Sequence, residues 1–100
     1  MGRQMPKGYF FAEIEITDLV EYDTYRSQTM ATLQKYGGRY IVRGGAPALI
    51  EGTDQPGRIV VAEFDSPEAA QKWYNSPEYQ AILPIRLRTS KGRAMFLTGT

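Results

Sequence analysis

The sequence predicts an α+β fold, a ferredoxin-like βαββαβ plait built on one antiparallel four-stranded sheet. Three observations carry this prediction. Apolar residues recur with period two in four short segments, and with helical spacing in the stretches between them. The resulting order is strand, helix, strand, strand, helices, strand. The chain also echoes itself: "FAEIEITDLVEYDTY" and "VAEFDSPEAAQKWY" both run apolar, Ala-Glu, apolar, acidic helix start, aromatic-ended amphipathic turn. Two such split halves sharing a sheet make the plait.

The first strand is "GYFFAEIEI", with Phe10, Ala12, Ile14 and Ile16 on one face and Tyr9, Phe11, Glu13 and Glu15 on the other. Asp18 and Glu21 then form a capping-box pattern that opens a helix. Tyr22, Arg26, Thr29, Met30, Leu33 and Tyr36 follow at helical spacing, and Gly37 suits the left-handed stop. The second strand, "RYIVR", sets Arg39, Ile41 and Arg43 on one face by strict alternation, and Tyr40 and Val42 on the other. Gly44 and Gly45 leave it for an irregular connection over 46–58 that holds a short hairpin arm. In the third strand, "RIVVAEF", Val60, Ala62 and Phe64 oppose Ile59, Val61 and Glu63.

Two cassettes, "DSPEAAQKWY" and "NSPEYQAIL", each carry serine at the cap, proline at the first helical position and glutamate in the first turn. They predict two short helices, the second stopped by Pro84. "GRAMFLTG" is the last strand. Residues 1–6 read as a disordered head or vector remnant, and 7–100 as one domain.

Bulk properties exclude several chemistries. A formal net charge of +1 sets up no global field for nucleic acid or a membrane surface. The chain has no cysteine, hence no disulfide or thiolate chemistry, which fits a reducing cytoplasm. It also has no histidine, the commonest general base and metal ligand. No apolar run approaches the roughly 20 residues of a membrane span, and no signal peptide is visible.

At "KYGGRYIVRGG", with "VVAEFDSPEAAQKWYNSPEYQAILPIR" behind it, the chain resembles domain-of-unknown-function family 1330, small bacterial proteins of the dimeric α/β-barrel superfamily. The resemblance runs from about Lys7 to Gly99. It implies a ferredoxin-like protomer, face-to-face dimerisation and a cavity between sheet and helices. It implies no activity and no cofactor.

The glycine pairs invite a phosphate-loop reading, but a phosphate loop lies between a strand and a helix. Here the first pair follows a helix and precedes a strand, so the glycines read as a helix stop and a bulge or sharp exit. Helices on one side leave the other sheet face bare, with Tyr9, Phe11, Ile41, Ile59 and Val61. An apolar patch of that kind marks an interface, so a homodimer through the sheet face is expected. By strict alternation Arg39 and Arg43 share that face with Glu13 and Glu63. The group is an ion-pair network fixing dimer register, or else an anion site beside a glutamate base.

Candidate catalytic residues are therefore Glu13 and Glu63. Arg39, Arg43 and Arg86 are candidate ligand-binding groups, with Tyr74 and Tyr79, which bracket the "NSPE" helix joint, orienting a polar ligand. The cavity serving them is expected to reach some hundreds of Å³. Glu13, Glu15 and Glu63 are a weak oxygen-only metal set, and no metal or cofactor is expected. "RLRTSKGR" reads as a solvated basic loop; with no recognition helix beside it, no nucleic-acid partner is expected.

Three functions follow. One is a cytoplasmic homodimer that binds a small polar or anionic organic molecule. The second is a cofactor-independent isomerase, lyase or oxygenase with a glutamate base. The third is an interaction or stress-associated module without a ligand.

Overall fold

The computed structural model describes residues 6–45 and 47–100; the expected disordered head lies, up to residue 5, outside the described residues. The elements are β1 (Gly8–Ile16), α1 (Leu19–Lys35), β2 (Arg39–Arg43), β3 (Arg58–Phe64), α2 (Pro67–Tyr74), α3 (Pro77–Thr89) and β4 (Ser90–Thr98). The sheet order is β2-β3-β1-β4, with every pair antiparallel. This is the ferredoxin-like plait. The shortest dimension, 16 Å, leaves space for one sheet and one helical layer only.

The helix starts form as their cap residues dictate. The Asp18, Ser66 and Ser76 side chains accept hydrogen bonds from the backbone N–H of Glu21, Ala69 and Tyr79. Gly37, at φ +79°, takes the left-handed turn that ends α1. The core fills the space between the helices and the inner sheet face, where Phe10, Ala12, Ile14, Ala62 and Phe64 meet Tyr25, Leu33, Trp73, Tyr79 and Ile82. Trp73 anchors it: the ring is 1% exposed, its N–H donates to Thr32 Oγ1 at 3.0 Å, and it lies 4.1 Å from Tyr79. Truncating such a residue to alanine typically costs about 3–5 kcal/mol.

Three expectations need correction. Pro84 does not stop α3, which runs through it to Thr89. Its missing N–H deprives Gln80 of an acceptor's partner, at a cost. Continuing the helix packs Ile85 against the core and buries Thr89, and that packing prevails. The "RLRTSKGR" run is consequently the end of α3 and the start of β4, not a solvated loop. Finally, β2 does not alternate strictly. Its register against β3 shifts between Tyr40 and Val42, so Ile41 is an extra, bulged residue. Tyr40 pairs with Ala62 and Arg43 with Val60, both on the inner face. Arg43 is thereby turned away from Arg39 and from the glutamates.

The 46–58 connection forms no hairpin among its described residues, and residues 48–55 lie exposed. Only Gln55, Pro56 and Gly57 return to the sheet, at the end of β1 and β4.

Candidate functional site

A cavity opens where α1 stands off the sheet. Phe10, Ala12 and Ile14 of β1 and Val60 of β3 form its floor, Tyr22 and Tyr25 of α1 its roof, and Tyr40 of β2 a side wall. Its polar lining is cationic: Arg26, Arg43, Arg58 and Arg86 all reach it, and none of the described lining residues is acidic. The space offers about 20 Å³ to the centre of a water molecule, far below the expected hundreds. That is somewhat more than the roughly 10–15 Å³ a single water requires.

The arginines differ sharply in their partners. Arg26 pairs with Asp23, Arg39 with Glu63, Arg88 with Glu21 and Arg93 with Glu13. Arg43, Arg58 and Arg86 have no carboxylate partner among the described residues, and all three line the cavity. Arg86 is 6% exposed and lies over the Phe10 ring, 5.9 Å from its centroid. Arg43 covers the Tyr40 ring at 4.8 Å. The Arg58 Nε is buried with no hydrogen-bond partner. Leaving guanidinium groups desolvated and uncompensated costs several kcal/mol. Arg86 is buried, Arg58 is partly buried and Arg43 is exposed at the rim, so the uncompensated charge is concentrated on Arg58 and Arg86.

Gly44 holds Arg58 in place. At φ +71° it sits in the left-handed region, and a Cβ there would collide with the Arg58 guanidinium. The second glycine pair of the "RGG" run thus makes room for an arginine rather than for a phosphate. Arg58 was missed at the sequence level, although strand parity places it on the face of Val60. Its Cα pairs with that of Ile14, whose side chain is buried.

Behind the cavity lies a phenolic chain. Arg86 Nε donates to Tyr79 Oη at 3.3 Å, and Tyr79 Oη lies 2.8 Å from Tyr25 Oη. Burial pushes the Tyr25 phenol well above its ordinary range and raises that of Tyr79, so both stay protonated. Burial likewise pushes Tyr40 up to about 12.

The other expected site residues lie elsewhere. Tyr74 packs against Phe10, Phe96 and Tyr79 and does not line the arginine cavity. Glu13, Glu63 and Arg39 stand on the outer sheet face. There Glu63 accepts from the Tyr9 hydroxyl at 3.0 Å and pairs with Arg39; those bonds, Tyr9's first, hold its carboxyl below the usual range. Glu13 and Arg93 are 3.5 Å apart beside an open groove of about 660 Å³ that also takes in Glu15, Gln55 and Lys91. The structure therefore parts the arginines from the glutamates by the thickness of the sheet. Among the described residues, no cluster of acidic side chains is arranged to hold a metal ion.

The sequence profile of the family described as "Domain of unknown function (DUF1330)" matches residues 7–100, and the chain belongs to that family. No curated protein matches it. Among solved structures, it is similar to a protein of unknown function from Rhodopseudomonas palustris, with a TM-score of 0.72 at 14% identity, covering 96% of this chain and 82% of that one. SnoaB, a cofactor-independent oxygenase from Streptomyces nogalater, aligns with a TM-score of 0.69 at 13% identity over 95% of this chain and 94% of that one. A dimeric ferredoxin-like protein of unknown function from Bacteroides fragilis aligns at 0.55 with 10% identity, covering 98% and 97%. At these identities the likeness is one of fold. None of the described helices is long and apolar enough to cross a membrane.

Proposed function

We propose that the protein is a homodimer that binds a small anionic organic molecule in the cavity between sheet and helices. One observation carries the binding reading: the three described arginines that lack a carboxylate partner line the same cavity. Arg58 and Arg86 hold the acidic group, and Arg43, exposed at the rim, closes over it. Arg39 is not part of this set; it serves the outer face. The dimer reading rests on that outer face, where Met95 is 37% and Leu97 44% exposed beside the half-buried Phe11, Ile59 and Val61. A second copy would cover this apolar strip, with the Arg39–Glu63 and Arg93–Glu13 pairs setting its register. The absence of cysteine favours a reducing compartment such as the cytoplasm.

The reading of the chain as a cofactor-independent enzyme has a different location. It draws on the open groove, where Glu13 would be the base and a second copy would complete the enclosure. The fold shared with an oxygenase is compatible with it and adds no residue to it.

Calorimetric titration with acetate tests the binding reading. The unmodified protein binds it, whereas Arg86→Met and Arg58→Met weaken binding about tenfold or more, the usual effect of losing a charge-assisted hydrogen bond. Without acetate, both variants should melt no lower than the parent, because each removes an uncompensated charge. Retained affinity in both variants would contradict the assignment. Sedimentation equilibrium addresses the dimer, which a single-chain particle at high concentration would rule out.

A further inference from the structure

We propose that the Tyr25 hydroxyl is the specificity-determining contact of this cavity, donating its proton to a second oxygen of the ligand. The cavity thereby selects small carboxylates that carry an oxo oxygen beside the acid group. This inference rests on the anion-binding reading above and adds the ligand class.

The argument follows the protons. A guanidinium only donates, so the Arg86–Tyr79 contact makes the Tyr79 oxygen an acceptor. Tyr79 is fully buried, and its own proton needs an acceptor. The Tyr25 oxygen at 2.8 Å is the one at hand, and we assign Tyr79 as the donor and Tyr25 as the acceptor of that contact. One proton occupies that contact, which leaves the Tyr25 proton to be donated elsewhere. The Tyr25 hydroxyl has no other hydrogen-bonding partner among the described residues, and Tyr25 lines the arginine cavity. The chain Arg86 to Tyr79 to Tyr25 therefore ends in an O–H directed at the ligand space.

The opposite order leaves a buried donor unpaired. It would strand the Tyr79 proton in the core between Trp73 and Tyr74, with no oxygen to receive it. Each donor in the assigned order also polarises the next in a low-dielectric interior, which strengthens the terminal bond.

Two donor types then share one small space: guanidinium groups for a carboxylate, and a phenol for a neighbouring oxygen. A ligand offering a methylene where Tyr25 needs an acceptor leaves that donor unpaired. A site built to hydrogen-bond an oxygen rejects such an analogue, whereas an apolar pocket does not. As it stands the cavity has room for little more than one water, so a small acid enters only when Arg43, exposed at the rim, swings outward.

The experiment compares pyruvate with propionate, two three-carbon acids that differ in the oxo group, by calorimetric titration. The unmodified protein should prefer pyruvate by about tenfold, the worth of one hydrogen bond to a buried donor. Tyr25→Phe should bring the two affinities to within about twofold, chiefly by weakening pyruvate. Tyr79→Phe, which keeps Tyr25 but removes its backing, should lower the preference without abolishing binding, and serves equally if Tyr25→Phe fails to fold. Equal affinities in the unmodified protein would overturn the Tyr25 assignment and leave the arginine site standing. So would a preference that survives both substitutions. Binding of neither acid would overturn the arginine site, and this inference with it.

Discussion

The two faces of the sheet carry arginines in opposite circumstances. On the outer face Arg39 and Arg93 each meet a glutamate, and Tyr9 further holds the Glu63 carboxylate. On the inner side Arg43, Arg58 and Arg86 meet only aromatic rings, phenols and a glycine backbone. Paired charges near a surface contribute little and fix geometry. Unpaired charges in a cavity are costly, and their cost is relieved only by something that binds. In the function proposed above, the paired face is the one that assembles and the unpaired side the one that recognises.

Gly44→Ala is the strongest way to break that separation. It forces a left-handed alanine against the Arg58 guanidinium, so stability should fall by about 1–2 kcal/mol, and acetate affinity should fall with it. Thermal denaturation and titration of the same sample would check both. Glu63→Gln on the outer face should leave acetate affinity unchanged and shift melting less than Gly44→Ala does. A loss of affinity there would mean that the two faces are coupled.

A smaller effect comes from pH, and it separates the cavity wall from the helix layer. Tyr40, held at about 12 by burial against an ordinary 10.0, binds its proton more tightly folded than unfolded. Its contribution is complete below pH 10 and disappears as pH rises through about 12. Glu78 runs the other way. The hydrogen bond from Lys35, then that from Tyr36, lowers it from 4.5 to about 2. Its clamp between α1 and α3 is complete above pH 4.5 and lost as pH falls through about 2. Denaturant titrations across both ranges should show stability declining at each end. Tyr40→Phe should make the alkaline limb shallower, with Tyr25 and Tyr79 still contributing to it, and leave the acid limb unchanged.

Much of the fold was legible because local signals agreed with one another. Period-two alternation set out β1 and β3, and Asp18, Ser66 and Ser76 marked three helix starts that form as expected. The site was legible only in fragments. Arg43 and Arg86 could be named as ligand groups, but Arg43's face depends on the bulge at Ile41, and one inserted residue inverts the alternation from which a face is read. Pro84 misled for the reverse reason: its local preference is real, yet packing of Ile85 and Thr89 beyond it outweighs one lost hydrogen bond. Arg58 lay in plain view on the inner parity of β3. Its importance comes from lacking a partner, and the absence of a contact is a property of the folded molecule alone.

The most direct test of the central claim is to soak crystals in sodium bromide and locate the anion by its anomalous scattering. The account predicts bromide inside the cavity, against Arg58 and Arg86 and near the Tyr25 hydroxyl. Bromide confined to Arg39, Arg93 and the outer face, with the cavity left to water, would contradict it.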